Sequence, residues 1–178
     1  MSGLAEHLYY KADALMALST QPRTPQPITA TVTAEGRSGV RRIRIRDFQI
    51  LCDSRADFAG EDLGPSAAEI QLGVLGSCLT DSFLIQAARL GVQLDGVTVS
   101  VTGRIEPRAG KPGHEDIPVF PHDIAYSIDI DSPASAETIL WLADEVESSC
   151  PILNLLRSPQ NLRRELRHVG AVMRSAAE

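Results

Sequence analysis

The sequence predicts an α+β fold, and three patterns support that class. Residues 28–53, 92–103 and 124–130 alternate apolar with polar side chains, which is typical of strands with one buried face. Residues 70–90 are apolar nearly all round, as in a helix at the centre of a core. Residues 132–149 form a second helical pattern with one apolar side. Strands and helices are therefore both expected, in separate blocks of the chain.

Length and composition favour one globular domain that does not bind nucleic acid. A chain of 178 residues is long enough for a sizeable core and leaves little room for a second domain. Its 43% apolar and 22% charged residues are close to globular averages. The formal net charge of −6 repels phosphate backbones and anionic membrane surfaces, so neither is an expected partner.

The first residues and the cysteine usage indicate a soluble, cytoplasmic protein. Glu6, His7 and Lys11 interrupt the apolar run that a secretion signal needs, and no segment is expected to reach the roughly 20 apolar residues of a membrane span. Three cysteines are too few for a disulfide scaffold, and an odd number in a reducing compartment points to free or reactive thiols. Each cysteine is therefore interpreted separately.

The chain is predicted to divide into three parts. Residues 1–27 form an N-terminal helix, over 4–18, and a proline-punctuated linker. The apolar stripe of this helix packs either on its own domain or on a second subunit, and we favour the second subunit. Residues 28–169 form the domain itself, and the small and charged residues of 170–178 are expected to fray.

The first strand region, 28–53, is expected to form a β-meander. Residues 35–39 have the composition of a turn, and 40–52 form one long strand or two. A loop over 53–65 leads to the next helix. Three arginines alternate with isoleucines and are therefore predicted to share one face of the strand: Arg42, Arg44 and Arg46. Such a face is more often solvated or edge-protecting than a surface that binds nucleic acid.

The central helix has clear start and stop signals. Ser66 and Glu69 form a predicted capping box, and Gly91 is expected to end the helix in a left-handed conformation. Cys78 lies beside small residues that allow another backbone to approach closely, namely Gly73, Gly76 and Ser77.

The segment 104–122 is expected to be a surface flap between two strands, because it is long and rich in proline and glycine. A flap in this position is able to gate a site. Near the end of the chain, the segment 162–169 predicts either a last strand or a helical turn.

A second helix is predicted to begin at Ser132–Pro133 and to run to about Ser149. Pro151 lacks the amide that would continue the hydrogen-bond ladder, so a new short helix is expected over 152–156. Cys150 then occupies the N-cap position of that short helix.

Two of the three cysteines are candidates for chemistry, which requires the thiolate. Cys78 lies three turns into the central helix, beyond the reach of the terminal dipole, so its activation needs a cation from another element. Cys150 lies beside free backbone amides at a helix start, which favour a thiolate. Cys52, at the end of a strand, is interpreted as a packing residue.

Other site chemistries have weaker support. The four histidines fall in different elements without metal-ligand spacing, and no Cys-x-x-Cys pair accompanies them, so no metal is expected. His122 at the flap is the one candidate for a Cys–His hydrolase. The sequence contains no glycine-rich phosphate loop, and no cofactor is expected.

Four segments resemble successive signatures of the OsmC/Ohr family, and the resemblance covers about residues 29–166. The segments are Gly64-Pro65-Ser66-Ala67-Ala68-Glu69, Leu75-Gly76-Ser77-Cys78-Leu79-Thr80, Gly91-Val92-Gln93-Leu94 and Cys150-Pro151-Ile152-Leu153. The resemblance implies antiparallel sheets packed on two long central helices in an intertwined homodimer. It also implies that Cys78 attacks a peroxide and that Cys150 is the resolving cysteine.

Residues 29–37 resemble the first β-turn region of the family's best-studied branch, which carries an arginine. The resemblance makes Arg37 the expected cation for the Cys78 thiolate. In that branch a glutamate orients the arginine, but the matching position here is Ala68, which places the chain nearer the general OsmC-like branch. The carboxylate role is vacant or filled from elsewhere, by Glu35 or Asp62.

The expected function is a thiol-dependent peroxidase that reduces organic hydroperoxides or hydrogen peroxide through Cys78 and Cys150, with an external dithiol as reductant. The competing hypothesis is a non-catalytic OsmC-like protein that binds a small hydrophobic ligand at the dimer interface, with the cysteines as packing residues. The two hypotheses differ in whether peroxide consumes the thiols.

Overall fold

The computed structural model describes residues 2–22, 24–36 and 39–168. The sheets are antiparallel, one formed by β1, β2 and β3 and the other by β4 and β5. The predicted α+β class is confirmed, and the predicted frayed tail lies outside the described residues. The elements are α1 Gly3–Ser19, β1 Thr31–Glu35, β2 Val40–Ile45, β3 Phe48–Cys52, α2 Ala67–Leu90, β4 Gly96–Arg104, β5 His122–Asp131, α3 Ala136–Ser149 and α4 Pro151–Arg157, with a short 3-10 turn at Ala56–Phe58.

Helix α1 packs on α2 of its own chain. Ser2 caps its start by accepting a hydrogen bond from the Ala5 amide at 3.1 Å. Ala5 and Leu8 are buried in the contact with α2. The preference for a second subunit as the partner of this helix is therefore wrong. The apolar stripe was recognisable from spacing, but spacing does not reveal which surface covers it.

The predicted meander is present, and β2 and β3 are separate strands joined by a turn at Arg46, where φ is 54°. Arg42 and Arg44 share one face of β2, and Nε of Arg42 lies 2.8 Å from the Glu35 carboxylate on β1. Arg46 leaves that face, because the chain reverses there, and its guanidinium lies 5.0 Å from the centre of the Phe48 ring. The prediction of one face shared by three arginines is thus wrong for Arg46.

The opposite face of this sheet is apolar and open to solvent. Phe48 is 63% exposed and Ile50 42% exposed, and none of the described helices packs extensively on the sheet. Large apolar side chains gain about 1.5–3 kcal/mol each when they are buried, so such a surface favours a cover. We call this surface the apolar sheet face; its members are Val32, Ile43, Ile45, Phe48 and Ile50.

The loop between β3 and α2 is organised by the buried carboxylate of Asp53. It accepts hydrogen bonds from the backbone amides of Ser54 at 2.7 Å and of Glu61 and Leu63 at 3.1 Å each. These amides, that of Leu63 most strongly, hold the pKa of Asp53 below its ordinary value. The chain therefore enters α2 along a defined path.

Helix α2 begins and ends where its sequence signals predict. The Ser66 amide donates to Oε2 of Glu69 at 2.7 Å, and the Glu69 amide donates to Oγ of Ser66 at 3.3 Å. Gly91 ends the helix with a φ of 69°. A Cβ at Gly76 would lie 3.3 Å from Cγ2 of Val101, so the small residue lets β4 approach the helix closely.

Helix α2 is also the centre of the core, where it packs against α1, α3, α4 and β4. The helix has 24 residues, and an 18-residue stretch of it has a mean hydropathy of 1.2, so by length and composition alone it could cross a membrane, which corrects the expectation that no segment could. A helix at the centre of a protein core has a similarly apolar composition, and α2 occupies that position. Within one chain, however, only 22% of the apolar stretch is buried, and Val74 remains 44% exposed.

Helix α3 begins later than the predicted start at Ser132–Pro133, because Ser135 is its N-cap. Oγ of Ser135 accepts a hydrogen bond from the Thr138 amide at 3.2 Å. Ser132 instead donates its hydroxyl to the Gln93 carbonyl at 2.6 Å and so ties together the segments beside the β4–β5 sheet. The Ser132 hydroxyl is thus engaged with a distant carbonyl and does not cap the helix.

Two connecting segments complete the described chain. Residues 105–121 contain turns without helix or strand, as the flap prediction expected. Residues 162–168 also lack helix and strand, so the prediction of a last strand or helical turn is wrong as far as the described residues extend.

Candidate thiol site

The structure brings Cys78 and Cys150 together although 72 positions separate them in the chain. Their Sγ atoms lie 3.5 Å apart, and both are free thiols. A disulfide requires about 2 Å between the sulfurs, so a modest movement would join them. Cys78 is partly exposed, whereas Cys150 is fully buried. A molecule arriving from solvent therefore meets Cys78 first.

The third cysteine, Cys52, belongs to β3 and is buried. Nη2 of Arg41 lies 3.5 Å from its sulfur. Its burial agrees with the interpretation of Cys52 as a packing residue.

The junction between α3 and α4 places Cys150. Cys150 has extended backbone angles, φ −69° and ψ 114°, and is the N-cap of α4, with Pro151 as the first helical residue, as predicted. The Cys150 side chain makes no cap hydrogen bond at this helix start, and the Ile152 amide instead favours a lower pKa of the neighbouring Cys78 thiol. The sequence predicted that the free amides of this helix start favour a thiolate at Cys150 and predicted no such effect on Cys78.

Asn154 holds this junction in place. Its Nδ2 donates to the carbonyls of Cys150 at 2.8 Å, Glu147 at 3.1 Å and Ser148 at 3.3 Å. The carbonyls of Glu147 and Ser148 lie in the last turn of α3, where no later amide of the helix reaches them, whereas the Cys150 carbonyl also accepts from the Asn154 backbone amide at 3.1 Å. One side chain thus joins the end of α3 to the start of α4 beside Cys150.

Replacing Asn154 with alanine is expected to lower the free energy of unfolding by about 1–2 kcal/mol, because partly buried carbonyls lose their donor. Urea unfolding of the variant measures this. Asn161→Ala, at an exposed residue outside the helices, is the matched control and should change the free energy by less than about 0.5 kcal/mol. Equal midpoints for the two variants would contradict the assigned role.

A polar network lies next to the junction. Tyr126 on β5 donates its hydroxyl to Oε1 of Glu147 at 2.5 Å, and Nη2 of Arg157 lies 2.8 Å from Oε2 of the same carboxylate. Burial and the neighbouring carboxylate raise the pKa of Tyr126 to about 12. The network ties β5, α3 and α4 together around Cys150.

A shallow apolar hollow of about 490 Å³ opens over Cys78. It offers a small organic molecule contact with methyl and methylene groups and direct access to one sulfur. Its lining residues are Ile70, Gly73, Val74, Ser77, Cys78, Asp81 and Ile152. A smaller hollow of about 190 Å³ lies between α1 and the end of α2, and no cysteine lines it.

Within one chain the surroundings disfavour the thiolate form of Cys78. Burial is the main cause and raises the pKa of the thiol above its ordinary value, and the nearby Cys150 and Asp81 raise it further. The Ile152 amide acts in the opposite direction but does not reverse the effect. A cation close to the sulfur would offset these contributions, and the expectation of such a cation stays a prediction.

The structure does not place the predicted cation and its candidate carboxylates together around Cys78. Arg37 lies outside the described residues. Glu69 serves as the cap of α2, and the Glu35 carboxylate binds Arg42 and Arg44. The carboxylate that does line the hollow is Asp81, which sequence reasoning missed. Its spacing of three residues from Cys78 was the available signal, because residues at i and i+3 share a helix face.

The structure gives no support for other site chemistries. His122, the candidate for a Cys–His pair, lies 3.2 Å from Asp123 and does not line the hollow over Cys78. Across the described ranges 2–22, 24–36 and 39–168, no cluster of three or more potential metal ligands is found.

Comparison with known proteins identifies relatives of this chain. A family model described as OsmC-like protein matches residues 60–164. Among solved structures, an OsmC-like protein from Mycoplasma pneumoniae superposes with a TM-score of 0.65 at 20% identity, over 75% of this chain and 89% of that one. No curated protein matches the chain.

Two further solved structures share the fold. An organic hydroperoxide resistance protein OsmC from Legionella pneumophila has a TM-score of 0.56 at 12% identity, over 76% of this chain and 92% of that one. A protein of Vibrio cholerae named for organic hydroperoxide resistance, with captopril in one of its active sites, has a TM-score of 0.53 at 20% identity, over 78% and 89%. At these identities the likeness establishes the fold alone.

Proposed function

This chain belongs to the OsmC-like protein family, and we propose on that basis that it is a thiol-dependent peroxidase acting through Cys78 and Cys150. The proposed substrates are organic hydroperoxides or hydrogen peroxide, and the proposed reductant is an external dithiol. The observation that carries the proposal is the distance of 3.5 Å between the two sulfurs, one partly exposed and one buried.

The arrangement suits a two-step reaction. The Cys78 thiolate attacks a peroxide oxygen, the O–O bond breaks, and an alcohol or water leaves, so that Cys78 becomes a sulfenic acid. The Cys150 thiol then condenses with it, releasing water and forming a disulfide. A dithiol returns two electrons and two protons, which restores both thiols.

The proposal requires a cation near Cys78, because burial and Asp81 oppose its ionisation. Arg37, which follows β1 in the chain and lies outside the described residues, remains the proposed source of that charge. An arginine suits this role because it stays protonated at any pH where the enzyme works.

A homodimer is the proposed assembly, because two apolar surfaces are left open by a single chain. One is the apolar sheet face, on which no described helix packs extensively. The other is the half of α2 that carries Val74 and the hollow over Cys78. A second copy presents the same two surfaces and would cover both in an isologous contact. The site would then lie at the subunit interface.

Titration of the reduced protein with cumene hydroperoxide tests the function. The three thiols per chain are expected to fall to one, with Cys52 remaining, and mass spectrometry should show a bond between Cys78 and Cys150. Under the alternative of a hydrophobic-ligand-binding protein, the thiols persist or oxidise slowly and unselectively. Retention of all three thiols after several equivalents of peroxide would exclude the peroxidase.

A further inference from the structure

Helix α1 reaches the thiol site through one ion pair. Nζ of Lys11 lies 2.8 Å from Oδ1 of Asp81, a residue that lines the hollow over Cys78. The Lys11 side chain is only 21% exposed, whereas Asp81 is 60% exposed. The lysine stem is therefore packed, and its ammonium group is directed at the carboxylate.

Asp81 is close enough to Cys78 to matter for its chemistry. The two residues stand three positions apart on α2 and share one helix face. A carboxylate on that face disfavours a second negative charge, and the Asp81 charge does raise the pKa of Cys78. The ammonium group of Lys11, 2.8 Å from that carboxylate, carries the opposite charge.

We propose that Lys11 is a positioning residue for Cys78: by pairing with Asp81 it holds and neutralises the carboxylate on the wall of the hollow, which keeps the sulfur available as a nucleophile. The N-terminal helix thereby belongs to the site. The effect of the ion pair on the Cys78 sulfur does not depend on the substrate. Only its consequence for peroxide reduction rests on the proposed function.

The other groups that face Cys78 do not perform this task. On the described part of the chain, the Cys150 thiol at the end of α3 and the Ile152 amide of α4 act on Cys78 besides Asp81. Glu147 and Arg157, near the same junction, are paired with each other. Among these described groups, the Lys11–Asp81 pair is the one that combines opposite charges at the hollow.

The test is the pH dependence of Cys78 alkylation by iodoacetamide, a neutral reagent, with the site of modification read by mass spectrometry. The full-length protein is compared with Lys11→Met, Asp81→Asn and the double variant. Lys11→Arg tests rescue by a conserved charge. Lys111→Met, in the loop between β4 and β5, is the matched control that removes the same charge elsewhere.

The alkylation midpoints of the six proteins should fall in a fixed order. Lys11→Met is expected to move the alkylation midpoint to higher pH, with a thiolate fraction about two- to fivefold lower at a given pH below the midpoint. Asp81→Asn should move the midpoint to lower pH. The double variant should return close to the wild type, because both charges of a neutral pair are gone. Lys11→Arg and Lys111→Met should match the wild type.

Two results would overturn the inference. One is an unchanged midpoint in Lys11→Met together with an unchanged midpoint in Asp81→Asn. The other is a Lys11→Arg variant that behaves like Lys11→Met. These results leave the peroxidase proposal standing if peroxide is still reduced. Conversely, if the wild type does not reduce peroxide but the midpoints follow the expected order, the peroxidase proposal is wrong and the role of the ion pair stands.

Discussion

Replacing Cys78 with serine is expected to lower kcat/KM for hydroperoxide reduction by about a thousandfold or more, because a serine hydroxyl cannot replace a thiolate as the nucleophile. The partly exposed Cys78 is the sulfur that peroxide can reach, and Cys150 is fully buried behind it. Steady-state assays with cumene hydroperoxide and a dithiol measure the effect.

The other two cysteines provide the controls for this experiment. Cys150→Ser should still consume one equivalent of peroxide and leave a sulfenic acid on Cys78 that dimedone traps, since only the condensing thiol is lost. Cys52→Ala should keep the rate of the wild type, because Cys52 is buried on β3 outside the hollow over Cys78. A Cys78→Ser protein that turns over at the rate of the wild type would end the catalytic hypothesis.

Replacing Ile50 with aspartate is expected to convert the proposed dimer into a monomer of one 19.2 kDa chain. Ile50 lies on the apolar sheet face, so a carboxylate there would be buried without a partner in the assembly. Both subunits carry the change in a symmetric dimer, and the dissociation constant should rise by about three orders of magnitude or more. Light scattering coupled to gel filtration measures the mass.

Gln49→Asp is the matched control for this substitution. Gln49 neighbours Ile50 on β3 but lies on the opposite face, where its side chain accepts a hydrogen bond from Arg42 at 2.9 Å. An aspartate there adds the same charge next to an arginine, and the mass should stay that of the wild type. Equal masses for Ile50→Asp and the wild type would show that this face is not the contact between subunits.

Local signals in the sequence predicted the limits of α2 and α4 well. The Ser66–Glu69 capping box, the left-handed Gly91 and the Cys150–Pro151 break all occur in the structure where they were expected. Each depends on hydrogen bonds and steric conflicts within a few residues of one another, so the residue types alone carry the information. The predicted cap at Ser132 was wrong, because that hydroxyl donates to the distant Gln93 carbonyl instead.

Predictions that depended on a distant surface were less successful. The stripe of α1 was recognised, but the surface that covers it was misassigned, and the turn that takes Arg46 off its strand face was missed. Nothing in the spacing of Lys11 indicated a partner 70 positions away. The proximity of Cys78 and Cys150 was expected from the resemblance to a family and not from the spacing of the two residues.

By itself the sequence determined the class of fold, the limits of the central helix and the two cysteines worth examining, because these follow from short-range backbone chemistry and hydrophobic periodicity. Only the tertiary structure decided that the two sulfurs lie 3.5 Å apart, that α1 packs on α2 of its own chain, and that Lys11 pairs with Asp81 in the wall of the hollow over Cys78. Those facts are distances between elements far apart in the chain, which depend on how the whole core packs.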